Sequence, residues 1–481
     1  MRRVAPVLGS VSLETPSWLA VAVMTAAAAG ASLAAVPPAQ TPLVVVAFAG
    51  LLALPLAVTR PHWFLYGGLL FASSDRLFAA DFAGLTVKPG YVCFGYALLG
   101  SLLIPRPHRQ TLTAVPGVRL IVLGIAGFLG VYVLAALLSG DLGAGAKKLL
   151  VIVVGALVPA AAIVRLLDTP AAIRTALRAF AVGLVVTASY GLYQFAAGYL
   201  GLPQGFEYEG VAGGLHRISG FSFEPNFFAV YLVAGLPLLM IDAARNTWRT
   251  SLSPRALLLI VLGAAILANS RATFVSLPVS LLGFLYLSNS RRFAQAARRA
   301  RALVPIVVGA VLVGIVLSAA GFHATTFATA RAASIFNPNE KASNAPRLQL
   351  YRAAKAIARE HPVHGVGPGN LGPALARRHI VFTQGHSVTA NNIWLEAAGE
   401  GGLATIPCIA MIIAGMAWML VRARSVEARA LALGALMFVT LNGLVVSFMW
   451  DLKVWTVIAL AAVVALRLPD DPTASERVEP G

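Results

Sequence analysis

Apolar residues form long blocks along the chain, and short polar segments separate the blocks. Most blocks are about 16 to 25 residues long, which lets a helix cross a hydrocarbon core of about 30 Å. They lack the alternation of polar and apolar positions that marks barrel strands, so helices are the predicted spanning form. The candidate spans are 17–36, 42–58, 63–74, 89–104, 117–139, 148–167, 173–198, 225–242, 255–269, 271–288, 302–319, 402–421, 428–448 and 451–467.

The predicted number of spanning helices is between 12 and 14. The run 63–74 is short, and the runs 255–269 and 271–288 are joined around Asn269–Arg271, as a helical hairpin or a re-entrant segment. Hydrophobic residues make up 58% of the chain and charged residues only 12%, which is far from the composition of soluble domains. The sequence therefore predicts an all-α polytopic membrane protein.

Lysine and arginine residues predict the orientation of these helices. With the N-terminus in the cytoplasm, most of the 37 lysines and arginines lie in cytoplasmic tails and loops. We therefore expect transmembrane helices over 1–319, a long outer loop over 320–391, C-terminal transmembrane helices over 392–467 and a cytoplasmic tail over 468–481. The formal charge of +18 then reflects topology and attraction to anionic lipid, and we expect no nucleic-acid partner.

The long outer loop contains a predicted amphipathic helix over residues 345–360. Pro346 suits its first turn. Arg347 falls on the apolar face, where a buried cation needs an anionic partner. At about 100° per residue, the apolar face also carries Leu350, Tyr351, Ala354, Ile357 and Ala358, and the opposite face carries Arg352, Lys355 and Arg359.

Further polar residues lie at the predicted outer ends of other helices, and each taken singly also suits an interfacial anchor. Arg217 and Glu224 lie in RISGFSFEPNFFAVYL, Arg271 in NSRATFVSL and His386 in GHSVTANNIWLEAAGEGG. Arginine binds phosphate oxygens bidentately and stays charged, and neutral histidine accepts a proton from a hydroxyl. With Arg347, these groups suit a lipid diphosphate as leaving group and a sugar hydroxyl as nucleophile. If guanidinium groups carry the charge of the departing phosphate, no metal or nucleotide is needed.

Three other patterns do not change this interpretation. The glycines of 367–372 form a literal G-x-G-x-x-G, but no strand precedes them and nucleotide is absent outside the cell. His361 and His364 lack an evident third ligand for zinc. Glu207 and Glu209 are spaced to hold a hard cation with a diphosphate, yet such pairs are more often solvated loop residues. We therefore expect a site without a metal.

The chain resembles the superfamily of O-antigen ligases and O-antigen polymerases, bacterial enzymes of envelope polysaccharide assembly. The resemblance covers roughly residues 120 to 465. It rests on the order of RISGFSFEPNFFAVYL, NSRATFVSL, RLQLYRAAKAIAREHPVHGVGPGN and NNIWLEAAGEGGL. It implies a multi-pass glycosyltransferase of the C type in the bacterial inner membrane. It also implies that outer-face arginines hold undecaprenyl diphosphate and that a histidine near the last piece activates the acceptor.

The chain departs from the family pattern at one position. Family members commonly have His-Asn where this chain has Asn391–Asn392, and the nearest histidine, His386, lies five residues before Asn391. If 386–391 forms a helix or a tight turn, His386 still reaches the same cavity. The expected site residues are His386 as catalytic base, Arg217, Arg271 and Arg347 for the diphosphate, and Asn391, Asn392 and Glu224 for acceptor orientation.

The predicted function is transfer of a glycan from undecaprenyl diphosphate to a hydroxyl of a sugar or lipid-linked acceptor, by a ligase or a polysaccharide polymerase without a cofactor. One alternative is a transporter or flippase of lipid-linked oligosaccharide, in which the same arginines bind diphosphate without chemistry. Charges inside several spans would favour the transporter, and the spans here are almost free of charge. A non-catalytic scaffold subunit is a third alternative, because the His-Asn pair is missing.

Overall fold

The architecture is taken from a computed structural model. It describes residues 53–82, 85–103, 114–206, 217–245, 253–268, 270–288, 344–380, 389–444, 447 and 450–468. The predicted spans 17–36 and 302–319, and most of 42–58, lie outside these residues.

Helices form nearly all of the described structure, and several begin with proline, whose fixed φ suits a first helical turn. The first group is α1 (Pro61–Leu70), α2 (Pro89–Leu102), α3 (Pro116–Leu138), α4 (Leu142–Leu166), α5 (Pro170–Leu200), α6 (Pro225–Arg245), α7 (Pro254–Leu267) and α8 (Arg271–Ser288). The second group is α9 (Asn344–Glu360), α10 (Leu371–Arg377), α11 (Ile393–Gly401), α12 (Thr405–Arg422), α13 (Val426–Met437) and α14 (Leu452–Arg467).

Five of the described helices, α3, α4, α5, α6 and α12, are long and apolar enough to cross a membrane. The helix α7 is shorter and equally apolar in character. The prediction of an all-α polytopic membrane protein is confirmed. The total of 12 to 14 spans stays a prediction.

Hydrogen bonds between helix ends sort these ends into two groups. At one end Arg165 donates to Ser101, and Arg467 Nη1 donates to the carbonyls of Val164 and Leu167 at 2.8 and 2.9 Å. The other end contains residues 71–91, 217–226, 270–271, 389–403 and 443–453, and we call it the polar end. Each candidate site residue that the structure describes, apart from Arg347 on α9, lies in these segments.

A two-stranded antiparallel hairpin at the polar end was not predicted. Its strands are β1 (Ala80–Phe82) and β2 (Leu85–Val87), with Asp81 opposite Thr86. Three-residue strands leave too short a pattern to recognise in the sequence. The hairpin connects the 3₁₀ turn Phe71–Ser73 to the start of α2.

Several predicted helix boundaries differ from those observed. Helix α4 begins at Leu142 rather than 148, because Asp141 caps it by accepting from the Ala144 N–H at 3.0 Å. The span predicted over 402–421 is preceded by the separate helix α11, and Gly402, at φ 82°, separates it from α12. The span predicted over 428–448 ends early, in the π turn Phe438–Asn442.

Helix α9 confirms the amphipathic helix predicted over 345–360. Leu350, Ala354 and Ile357 are buried and form a small core with Leu371 and Leu375 of α10. The residues of the opposite face, Arg352, Lys355 and Arg359, are exposed. Packing of this one apolar face is what attaches the two short helices to each other.

Candidate functional site

Asn226, near the start of α6, joins two of the segments that the sequence singled out. Its Oδ1 accepts from Ser270 Oγ at 2.9 Å and from Arg217 Nη2 at 3.5 Å. Ser270 directly precedes α8, whose first residue is Arg271. The guanidinium of Arg217 therefore lies beside the N-terminal end of α8.

The segment that carries Arg217 is held in place by a buried glutamine. Gln194 of α5 accepts from the N–H groups of Ser219 and Gly220 at 3.3 and 2.9 Å. The carbonyl of Phe221 in turn accepts from the N–H of Asp75 at 2.9 Å. The fixed backbone directly after Arg217 limits the positions that its side chain can adopt.

A second join connects the loop helix α9 to the segment before α11. The Tyr351 hydroxyl lies 2.8 Å from the Leu444 carbonyl and 3.1 Å from the Asn391 carbonyl, and it donates to this pair of acceptors. Asn392 caps α11 by accepting from the N–H groups of Trp394 and Leu395, both at 3.0 Å. Its amide also donates to the Leu444 carbonyl at 3.1 Å. The side chain of Asn392 thus has a clear structural role.

The π turn Phe438–Asn442 connects these two joins. It packs against α6 and α8, which carry Asn226 and Arg271, and it leads directly to the carbonyls of Gly443 and Leu444. Gly443 accepts from the Ile393 N–H at 2.8 Å. The four sequence pieces therefore meet around one local widening of a helix, a feature often found at functional sites.

The remaining predicted site residues are placed less completely. Arg347 is half-buried in the first turns of α9, one turn before Tyr351, and has no ion pair among the described residues. Glu224 is half-buried directly before α6. Asn391 has a left-handed φ of 48°, and its Oδ1 accepts from the Thr389 hydroxyl at 3.3 Å.

Some predicted residues lie beyond the described structure. His386 falls in the undescribed segment 381–388. Glu207 and Glu209 fall in the undescribed segment 207–216. The backbone of Arg271 begins α8, but its side chain is outside the description. The roles assigned to these residues stay predictions.

A cluster of buried and half-buried charged residues, which the sequence did not reveal, lies between α4 and α11. Lys148 Nζ donates to Glu396 Oε1 at 2.7 Å and lies 3.3 Å from Glu400 Oε2. Glu400 also accepts from the Tyr132 hydroxyl at 3.1 Å and from the Gly369 N–H at 3.0 Å. Each of these bonds connects residues far apart in sequence.

The two carboxylates of this cluster differ in their environments. Burial is the main cause that raises the pKa of Glu400; Lys148 opposes the shift, the charge of Glu396 adds to it, and the pKa is raised on balance. For Glu396 burial also acts to raise the pKa, but Lys148 outweighs it and the pKa is lowered. Glu396 is therefore the carboxylate that stays ionised beside the lysine.

A cavity of about 290 Å³ opens against this cluster. Its charged and polar lining comes from Lys147, Lys148, Thr389, Glu396 and Glu400. Thr389 bonds to Asn391, so the cavity reaches the segment predicted to orient the acceptor. The volume is close to the lower limit of typical ligand pockets.

A second charged cluster joins the beginning of the described chain to its end. Lys453 Nζ lies 2.5 Å from Asp75 Oδ2 and 3.4 Å from Asp451 Oδ1, and Lys88 Nζ lies 2.6 Å from Asp75 Oδ1. Lys453 is fully buried, and its ammonium lies 5.9 Å from the ring centre of Phe227, next to Asn226. The cluster therefore supports the segment that begins α6.

The glycine-rich turn discounted as a nucleotide site has a packing role. Gly365, Gly367 and Gly369 all have positive φ, a backbone conformation that residues with a side chain rarely adopt. The N–H groups of Val366 and Gly367 donate to the carbonyls of Gly399 and Glu400 at 2.8 and 3.0 Å. The turn thus closes over α11 and brings the Gly369 N–H to the carboxylate of Glu400.

Weak signals for these clusters were present in the sequence. Lys148 and Lys453 interrupt or border apolar runs, where an ionisable residue needs a partner. Glu396 and Glu400 are spaced four apart, which places them on the same face of α11. Their partners were not predictable, because Asp75 and Lys453 are 378 positions apart.

Three of the four segments that meet at the polar end also carry a family signature, and the segment with Arg217 and Asn226 precedes the matched range. Residues 256–409 match the O-antigen ligase family. The matched range, less than half of the chain, includes α7, α8, α9, α10 and α11 with Glu396 and Glu400, and it confirms the resemblance to the O-antigen ligase and polymerase superfamily. No curated protein gives a significant match.

Proposed function

We propose that this protein transfers a glycan from a polyprenyl diphosphate carrier to a hydroxyl acceptor, as an O-antigen ligase or polysaccharide polymerase of the bacterial inner membrane. The family match supports the general role in polysaccharide assembly. The observation that carries the reaction is the join at Asn226, which holds Arg217 beside the first turn of α8. This arrangement suits binding of a diphosphate.

The charges around this join favour an anionic ligand. A guanidinium forms bidentate bonds to phosphate oxygens. The free N–H groups at the start of α8 and its helix dipole attract negative charge in the same place. Arg271 occupies the first position of that helix, and Arg347 lies on α9, which Tyr351 attaches to the neighbouring segment. Three arginines on three elements then serve one site.

The proposed reaction breaks the bond between the anomeric carbon of the glycan and a phosphate oxygen of the carrier. A bond forms between that carbon and the acceptor oxygen, and the hydroxyl proton passes to His386 as general base. The polyprenyl diphosphate leaves with the electron pair, and the arginines stabilise its charge. The donor is already activated, so the scheme uses no nucleotide.

The direct test uses purified protein in liposomes with a lipid-linked oligosaccharide and an acceptor, without added nucleotide. We expect release of polyprenyl diphosphate and formation of the joined glycan in equal amounts. The transporter alternative predicts movement of the lipid between leaflets with no release. Absence of release with a functional acceptor would exclude the enzyme assignment.

Arginine variants test the site within the same assay. Arg217→Ala and Arg347→Ala should each lower transfer by about 10- to 150-fold, since a charge-assisted bond contributes roughly 1.5–3 kcal/mol. Lysine at position 217 should restore little, because it lacks the bidentate fork. Arg359→Ala, on the exposed face of the same helix as Arg347, is the matched control and should retain wild-type transfer. Equal activity of the Arg347 and Arg359 variants would remove α9 from the site.

A further inference from the structure

The cavity beside α4 and α11 has a lining that the diphosphate site does not require. It combines two lysines and two glutamates with the hydroxyl of Thr389, and the rest of the lining is apolar or glycine. The formal charges of the four ionisable groups cancel. A balanced set of donors and acceptors suits a neutral, highly hydroxylated ligand.

Among the residues that line this cavity, Glu396 has a carboxylate oxygen that can still accept a hydrogen bond from a ligand. Its Oε1 accepts from Lys148, but Oε2 is buried without a hydrogen bond among the described residues. The Ser447 hydroxyl is near enough to help lower the pKa of Glu396, yet makes no bond of good geometry to Oε2. An unsatisfied buried carboxylate oxygen is costly, so a donor from a ligand would stabilise it.

Glu396 also borders a void of about 10 Å³ lined mainly by Phe128, Tyr132, Ile393 and Trp450. That volume admits one water molecule at most. Of these two spaces, the 290 Å³ cavity is the one that admits a ligand larger than water beside Glu396. Glu400 differs from Glu396, because both of its oxygens already accept bonds from the protein.

The glutamates also argue against a diphosphate as the ligand of this cavity. A diphosphate placed here would lie against the ionised carboxylate of Glu396, and like charges at such distances repel strongly in a poorly solvated site. Sugar hydroxyls donate to carboxylates and accept from ammonium groups without this penalty. The cavity volume is sufficient for a sugar ring but not for a long chain of residues.

The geometry points to a sugar-binding subsite in this cavity, in which Glu396, Lys148 and Thr389 hold one ring of a glycan next to the reacting hydroxyl. The subsite rests on the proposed function, since it positions a substrate of that transfer. The ring belongs either to the glycan of the donor or to the acceptor. Thr389, bonded to Asn391, is the link between the subsite and the predicted acceptor residues.

The test compares Glu396→Gln with Glu360→Gln. Glu360 lies on α9 in an exposed ion pair with Arg378, so its variant controls for the loss of a carboxylate in the same region. We expect Glu396→Gln to raise KM for one substrate at least tenfold with kcat nearly unchanged, because the contact is made equally in ground state and transition state. A rise confined to the donor assigns the ring to the donor glycan, and a rise confined to the acceptor assigns it there. Glu360→Gln should match the wild type.

A second measurement is independent of turnover. The free oligosaccharide, released from its lipid carrier by mild acid, is titrated against the protein in nanodiscs and its binding followed by tryptophan fluorescence. Affinity should fall at least tenfold in Glu396→Gln and also in Val151→Phe, which adds a ring to the cavity wall without altering any charge. If the wild type binds the oligosaccharide and Glu396→Gln does not, the subsite stands even when no transfer occurs and the proposed function fails. No saturable binding by the wild type, or unchanged affinity and KM in both variants, would overturn the subsite.

Discussion

At the scale of single residues, buried charges are the main feature of this protein that differs from its apolar composition. Asp75 is 2% exposed and Lys453 is fully buried. Isolated charges of this kind are strongly disfavoured in a poorly solvated interior, and removing one partner leaves the other uncompensated. The stability of the cluster therefore depends on all of its members being present together.

Asp75→Asn should destabilise the protein by about 3–5 kcal/mol, because it removes the carboxylate that both Lys88 and Lys453 contact. The measurement is the loss of folded protein on heating in detergent, followed by size-exclusion chromatography. Asp168→Asn is the matched control, since Asp168 is exposed at the opposite end of the helices. Equal melting temperatures for the two variants would show that the cluster contributes no net stability.

The pH dependence of the same comparison follows from the pKa of Asp75. Burial acts to raise this pKa, but Lys453 and Lys88 outweigh burial and lower it. A lowered folded pKa means that the stabilisation is complete above the unfolded value of about 3.9 and is lost as pH falls through the folded value. The stability difference between wild type and Asp75→Asn should stay constant from about pH 8 to 5 and shrink only below about pH 4.

At the scale of elements, one hydroxyl adds hydrogen bonds to the apolar packing that attaches α9 to the polar end. Tyr351 is the residue whose hydroxyl contacts the carbonyls of Asn391 and Leu444. The rest of the apolar face of α9 packs on α10 and α11. The hydroxyl therefore sets the position of Arg347, one helical turn away, relative to the remainder of the site.

Tyr351→Phe should keep α9 folded but lower transfer roughly fivefold, which corresponds to about 1 kcal/mol for a lost hydrogen bond. Hydrogen exchange of residues 391–395 should increase at the same time. Tyr193→Phe, which removes a hydroxyl that donates to the Pro203 carbonyl, is the control and should change neither quantity. Unchanged exchange in Tyr351→Phe would mean that apolar packing alone positions the helix.

At the scale of the whole molecule, the orientation in the membrane determines which compartment the site faces. The excess of lysine and arginine in short loops predicts that the polar end is outside. Exposed residues at the two ends provide the test, namely Ala376 in α10 and Arg424 between α12 and α13. The two native cysteines, the buried Cys408 and the half-buried Cys93, are replaced first. A thiol-reactive label then reports only on the introduced cysteine.

Ala376→Cys should react with a membrane-impermeant maleimide in intact spheroplasts, whereas Arg424→Cys should react only after the membrane is permeabilised. Both positions are exposed, so accessibility within the protein does not distinguish them. The opposite labelling pattern would place the site in the cytoplasm. In that case an extracytoplasmic transfer of glycan could not be carried out by these residues.

Local sequence patterns predicted the helices well where one rule dominated. The span predicted over 271–288 has the same bounds as α8, and the helix predicted over 345–360 begins one residue later than α9. Both predictions rest on apolar periodicity and proline positions, which act within a few helical turns. The start of α4 was predicted six residues late. There the polar pair Lys147 and Lys148 interrupts the apolar run, and the structure shows that Lys148 is half-buried and paired with Glu396.

The amino-acid sequence by itself determined that this is a helical membrane protein with a loop helix and arginines at one end, since hydrophobicity and charge act residue by residue. Only the tertiary structure decided which polar groups meet. Asn226 bonds to Arg217 and Ser270. Lys148 lies between Glu396 and Glu400, and Glu400 also accepts from Tyr132. Some of these contacts join residues that are hundreds of positions apart in the sequence. Such pairings follow from how the helices pack against one another, and the cavity exists only because these packed elements leave space between them.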